Sequence, residues 1–437
     1  MKNSELNPNY SVPLNVHRWS DHPEVNQLVA FVWDQLGEER QADLTGTSNN
    51  KGTPPKRILK VLLIDLYANW LEDPTLCIGV SRNNNSFKPT SRYNALHIPY
   101  KINHVIDHLV ELDFLEFRNG SYDRTNNGQG NRTSRIRAKI KLERAFASCS
   151  ASLFDIQSHF KEETVILNEW DLDREGNPIK KKGGGKKVKP VDYTDTDNTI
   201  QMREEIKLYN EFIATLYIDI GNLEHPYVER MSKDGKPKRV PITQQNKFVR
   251  RIFSRKDWTL NGRWCGGFWQ QVGQDYRDNI LINDEPVIEV DYSGLHPSIL
   301  SVRRGETFQG YQVKEQILTK LDFEQQRKAI KLLILTAINA KTKPEAYRAF
   351  RGSSDISLND NELEQLLEAF LTLNLFLQDD LFSDKGIHLM YMDSEITRYI
   401  INKFVSLQKP ILSVHDSYIV RPPSSAFAAV LLHSGIL

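Results

Sequence analysis

Apolar residues recur at helical spacing from Arg57 to Leu71, in RILKVLLIDLYANWL, which predicts a helix. Pro99 to Phe114, PYKINHVIDHLVELDF, predicts a second, amphipathic helix with proline at its start. FLEFRNGSYD, a Gly/Asn-rich tip and NRTSRIRAKIKL follow, predicting two alternating strands joined by a flexible loop. Residues 1–55 are mixed and end in TGTSNNKGTPPK, a polar run that predicts a loop. Residues 173–198, DREGNPIKKKGGGKKVKPVDYTDTDN, have no apolar anchor and predict a mobile linker. A helix is expected near Glu204 to Leu216, then a basic stretch to Lys256 interleaved with apolar residues, as on a folded surface over nucleic acid. Further on, VIEV predicts a short strand ending at Asp291, with a helix after it. Phe323 to Thr342 predicts another helix, and ILSV and YIV predict a hairpin with His415-Asp416 at its tip. No internal repeat is present.

These elements indicate an α+β chain of three consecutive segments, 1–150, 151–256 and 257–437, the middle one a helical connector. Two helices and a hairpin with a basic second strand resemble a winged helix-turn-helix, which sets a helix in the major groove and its wing along the backbone. Lys101, Arg118, Arg124, Arg132, Arg135, Arg137, Lys139 and Lys141 suit phosphate contacts, Arg135 and Arg137 foremost. The competing reading is a solvated hairpin face.

A length of 437 residues suits two or three domains, and 39% hydrophobic residues allow packed cores. Charged residues make up 26% with a net charge of +1, so a nucleic-acid surface must come from local clustering. Three cysteines fit neither a disulfide framework nor a zinc pattern, and point to a reducing compartment. Without an apolar leader or an apolar run of roughly 20 residues, the chain reads as soluble and cytoplasmic, with no membrane partner.

Asp291 and Asp416 each sit at the end of a strand, where a carboxylate is held rigidly. Paired carboxylates repel when ionised, and two Mg²⁺, or Mn²⁺ in their place, relieve that and assist phosphoryl transfer. Arg327 and Lys331, four apart, share a helix face that suits the triphosphate of an incoming nucleotide. Lys331 is also placed to protonate the leaving pyrophosphate. Arg-x-x-x-Lys alone is common on exposed helices; its weight comes from lying between the two aspartates. Gly183-Gly184-Gly185 lacks the strand and helix of a Walker loop.

In this order the three segments resemble the palm and fingers motifs of family A DNA polymerases and phage-type single-subunit RNA polymerases. Asp291-Tyr292-Ser293 is similar to the first palm motif, Arg327-x-x-x-Lys331 to the start of the fingers helix, and His415-Asp416-Ser417 to the last palm motif. Asn261-Gly262-Arg263 resembles the Thr-Gly-Arg element before the palm, covering in all about Asn261 to Arg421. The resemblance implies an antiparallel palm sheet, a small helical fingers region, and Asp291, Asp416 and the Tyr292 carbonyl as metal ligands. It implies primer or template contacts at Arg263, with Arg277 a second and His415 near the primer end. Trp264, Phe268 and Trp269 are either a stacking platform or a buried cluster.

The chain departs from the family at the fingers helix. Asn339 and Ala340 replace its Tyr-Gly, Leu335 an aromatic, and His296 the glutamate that screens the ribose. Asn339, His296 and Tyr292 are thus expected at the nucleotide. The function expected is a template-directed nucleotidyltransferase acting on a DNA or RNA template-primer with nucleoside triphosphates, suited to a phage, plasmid or mobile element. The alternative is a non-catalytic winged-helix replication initiator or regulator with a degenerate palm. A metal-dependent nuclease would not need the Arg327/Lys331 helix.

Overall fold

The computed structural model describes residues 6–426 except 8, 47–51, 122–131, 174, 180–185, 232–236 and 293. Arg124 and the Gly/Asn-rich tip, the triple glycine, Ser293 and Leu437 lie outside the described residues. Helices and small sheets are mixed along the chain, an α+β arrangement. Two compact units appear, each built from non-consecutive segments. The first takes residues 1–164, 217–248 and 266–281; the second takes 165–216, 249–265 and 282–437.

The first unit is organised by the helix Pro55–Glu72, whose residues from Val61 to Asn69 are all buried. A helix apolar on every side belongs inside a core. Around it pack the helices Pro23–Thr45, kinked at Gly37, and Ile102–Glu111. Its sheet runs Ser11–Pro13, Cys77–Val80, Ser134–Ala138, Leu115–Arg118 in spatial order. The last two strands pair antiparallel, Leu115 opposite Ala138. Ile136 and Ala138 alternate inward while Arg135 and Arg137 stay half-buried. Asp65 is fully buried and paired with Arg18 at 2.8 Å; burial still pushes its carboxyl up.

The second unit holds two sheets. One orders Asp257–Gly266, Val249–Ser254, Val165–Trp170 and Val188–Pro190. The last of these strands lies in the stretch expected to be a linker. Its Val188 and Pro190 pair with Trp170 and Asn168, and Lys187 and Lys189 meet Asp171 and Glu169. Cross-strand pairing thus orders Val188–Pro190 within a stretch that composition alone marks as mobile. The helix Asp197–Ala214 then opens on a Thr196 capping box.

The other sheet is antiparallel, with Ile288–Asp291 beside Ser417–Val420 and that strand beside Ile411–Val414. Every residue of the latter two strands is buried, so both faces are covered. Tyr209 donates its hydroxyl to the Ile411 carbonyl at 2.9 Å, fastening the helix Asp197–Ala214 to this sheet. Cys77, Cys149 and Cys265 are free thiols. Among the described residues no helix is long and apolar enough to cross a membrane.

Candidate active site

Asp291 closes its strand opposite Ser417, so the next residue of the hairpin, Asp416, comes beside it. His415 and Asp416 form a two-residue turn with His415 at φ 56°. The pairing explains the electrostatics. Asp291 is exposed, and the partial desolvation it has raises its carboxyl above the usual range, with the charges of Asp416 and then Glu289 adding to this. A hydrogen bond from the Tyr292 backbone and the charge of Lys331 pull in the opposite sense. Glu289 accepts a hydrogen bond from the Ser417 hydroxyl.

After Tyr292 the chain turns into the helix Leu295–Arg303 through Gly294, at φ 76°. A Cβ there would come within 2.7 Å of the Phe308 ring and 3.3 Å of the Tyr311 hydroxyl, so only glycine fits. His296 follows in the first helical turn. Burial, reinforced by the Arg263 charge, lowers its pKa to about 4, so the imidazole is neutral near pH 7. Its Nε2 is buried with no hydrogen-bond partner among the described residues.

The helix Phe323–Asn339 starts on an Asp322–Gln325 capping box. Ala329, Ile330, Leu333, Ile334, Ala337 and Ile338 form its buried stripe. Phe323, Arg327, Lys331, Leu335 and Asn339, at four-residue steps, are all exposed on the other face. Lys331 acts electrostatically on Asp291, and Arg327 on Tyr311. Asn339, the last of these exposed residues, also makes contacts within the fold. Its Nδ2 donates to the Leu335 carbonyl at 2.7 Å, and its Oδ1 lies 1.9 Å from where a Gly386 Cβ would sit.

Arg263 reaches the site by a different route from the one its motif implies. Asn261 and Gly262 both have positive φ, 69° and 74°, within one strand. Arg263 then donates Nε and Nη2 to Asp393 Oδ2 at 3.0 and 2.8 Å. Asp393 lies on the helix Gly386–Ser406, fully buried, with Oδ1 lacking a hydrogen-bond partner among the described residues. The next two residues, Ser394 and Glu395, bind Arg251, which is itself fully buried and also donates to the Gly262 carbonyl at 2.9 Å.

Burial raises the Asp393 carboxyl to about 7; Arg263 opposes this and the Asp416 charge adds to it. A carboxyl raised in the folded state stays protonated there while the unfolded chain ionises from about pH 4. Its contribution to stability is therefore complete below about pH 4 and lost as pH rises to about 7. Asp393→Asn is expected to flatten that part of a denaturation-versus-pH curve. An unchanged slope would show that Asp393 does not carry it.

Arg277 belongs to the first unit and donates to the Val272 carbonyl at 3.3 Å. Also in the first unit, Arg137 pairs with Glu116 at 2.7 Å, and Arg135 donates to the Thr133 carbonyl at 2.7 Å. Trp264, Phe268 and Trp269 are all buried, which excludes a platform open to bases. Sequence reading missed Tyr311 and Asp393. Tyr311 stacks on Phe370 in a stretch without periodicity; its hydroxyl is pushed up to about 12 by burial and the Asp416 charge. Asp393 did carry a signal, a lone acid on the buried face of an apolar helix.

The donor set suits hard divalent cations, since two carboxylates meet with Lys331 as the cation acting on Asp291. Among the described residues no group of three or more His, Cys, Asp or Glu side chains is gathered for an ion. The candidate ligand set is the Asp291 and Asp416 pair. No family model matches the chain, and no curated protein or solved structure matches it.

Proposed function

We propose that this chain is a template-directed nucleic-acid polymerase with Asp291 and Asp416 as its metal-binding carboxylates. The observation that carries this reading is the adjacency of Asp291, at the end of its strand, and Asp416, in the hairpin turn, with Lys331 of the exposed helix face acting on Asp291. The antiparallel sheet is then the palm and the helix Phe323–Asn339 the fingers. Asp291 and Asp416 would hold two Mg²⁺, which when bound would supply the charge neutralisation that phosphoryl transfer needs. Lys331 and Arg327 hold the triphosphate, four residues apart on one face. A 3′-hydroxyl attacks the α-phosphorus and loses its proton to solvent, the bond to pyrophosphate breaks, and Lys331 gives that leaving group a proton that it recovers from solvent. Neutral His296 stands at the ribose as an uncharged hydrogen-bonding group. Asn339, folded onto Gly386, supports the helix end. In the first unit, the helix Ile102–Glu111 followed by the antiparallel hairpin supports a winged-helix reading.

The test is extension of a labelled primer on DNA and RNA templates, with Mg²⁺ or Mn²⁺ and dNTPs or NTPs. Lys331→Ala is expected to lower kcat by about 10²-fold, the usual loss of a positioned proton donor. No extension in any combination by folded, nucleic-acid-binding protein would favour the initiator reading. Extension unaffected by Lys331→Ala would remove that residue from the chemistry.

A further inference from the structure

The basic residues of the hairpin mostly face partners within the chain: besides the contacts of Arg135 and Arg137, Lys139 meets Asp113. Cations with room beside them lie at the opening turns of the helix Pro55–Glu72. There Trp19, Asn26, Val29, Lys56, Arg57 and Lys60 line a cavity of about 590 Å³, ample for a nucleotide. The first turn of this helix carries no acid and no side-chain cap. Lys56 and Arg57 therefore add positive charge to the positive end of the helix, an arrangement that an anion relieves. Arg57 Nε is buried with no hydrogen-bond partner among the described residues. Lys60 lies 4.1 Å from the Trp19 ring centroid and is held by Asn26 at 2.9 Å, with Asp21 at 3.4 Å the acid that faces it.

A row of rings continues from the cavity. The strand Arg18–Trp19 pairs with Gln157–Ser158, which brings the His159 ring edge-on to Trp19 at 5.9 Å. His159 lies 4.6 Å from the Phe160 ring, and Phe160 is 73% exposed. Lys161 stands 5.5 Å from the Phe160 ring. Burial holds the His159 pKa down, the charges of Arg57, Lys161 and His17 add to this, and that of Asp21 opposes it.

We propose that this cavity and ring row bind a single-stranded nucleic-acid segment, with a phosphate on Lys56, Arg57 and Lys60 and the adjoining base on Phe160. Cationic pockets beside exposed rings are what single strands require, because every base has a face to stack and every linkage a charge. The site belongs to the first unit and stands independently of the polymerase reading.

The test is fluorescence anisotropy of the full chain with a labelled single-stranded oligonucleotide, competed by ATP, inorganic phosphate and duplex DNA. Lys56 and Phe160 are exposed, so Lys56→Glu and Phe160→Ala should fold, as far-UV circular dichroism will show. Each is expected to weaken single-strand binding by about tenfold, with Phe160→Ala leaving duplex binding unchanged. Lys56→Glu should also reduce the salt dependence of binding by about one unit of slope. Unchanged affinity in both variants overturns the proposal. Displacement of the strand by ATP, with ATP affinity falling equally in both variants, would overturn it in favour of a free nucleotide.

Discussion

Asp416→Asn is expected to lower primer extension by about 10³-fold or more, with the fold intact. Asparagine keeps the size of the side chain and suits a tight turn, so the hairpin Ile411–Val420 should form unchanged. What it removes is one of the two carboxylates proposed to hold the metal ions. The Asp291 carboxyl, which the Asp416 charge helps to raise, should fall toward its ordinary range. Removing one of two neighbouring carboxylates also removes a repulsion, so the thermal midpoint should hold or rise while activity disappears. Loss of activity together with loss of stability would point to a damaged fold and would not support the assignment. Retained extension would sink it.

The second large effect concerns stability. Arg251→Ala should destabilise the protein by about 3 kcal/mol, the lower end for breaking a buried ion pair. The guanidinium is fully buried and serves three partners at once: the Gly262 carbonyl, the Ser394 hydroxyl and the Glu395 carboxylate. It also lies 5.0 Å from the Phe253 ring and 5.8 Å from that of Trp264. Alanine strands those acceptors and opens a void. Glu395 keeps Arg398 at 3.1 Å, which places the loss at the low end. Arg251→Lys keeps the charge but not the fork, and should recover only part. A urea midpoint shift equivalent to under about 1 kcal/mol would show that the guanidinium's burial costs as much as its bonds return.

The consequence reaches the site, because Arg251 and Arg263 grip consecutive residues of one helix. Gly262 stands between them, and a Cβ on it would come within 2.8 Å of Phe253 and 2.9 Å of Ser394. Loosening either arginine should therefore also disturb Asp393, whose charge is coupled to that of Asp416.

The strand ending at Asp291, the hairpin presenting Asp416 and the helix carrying Arg327 and Lys331 were legible because each rests on a local signal. An apolar run stops at one acid, two β-type runs flank a turn, and apolar residues recur at helical spacing. Side-chain pairing across long separations was not legible. Arg263 looks free for a phosphate until the helix 130 residues onward supplies Asp393. Arg137 looks like a wing contact until Glu116 arrives across the strand pair. Trp264 looks available for stacking until Tyr209 covers its edge. The strand Val188–Pro190 was hidden because its order comes from a neighbour and not from its own composition.

Passage of the chain between its two units has a bearing on biosynthesis. As the nascent chain leaves the ribosome, residues 1–164 emerge first but lack 217–248 and 266–281, without which their unit is incomplete. By the time 281 is out, parts of the second unit have already emerged, and its parallel pairing of Val165 with Arg251 must form across that interval. Domains that fold one after another during translation need contiguous segments. Here the first unit cannot close until residue 281 is out, so nascent chains would present unpaired strands for longer and rely more on chaperones, and a chain truncated before 281 would leave both units incomplete.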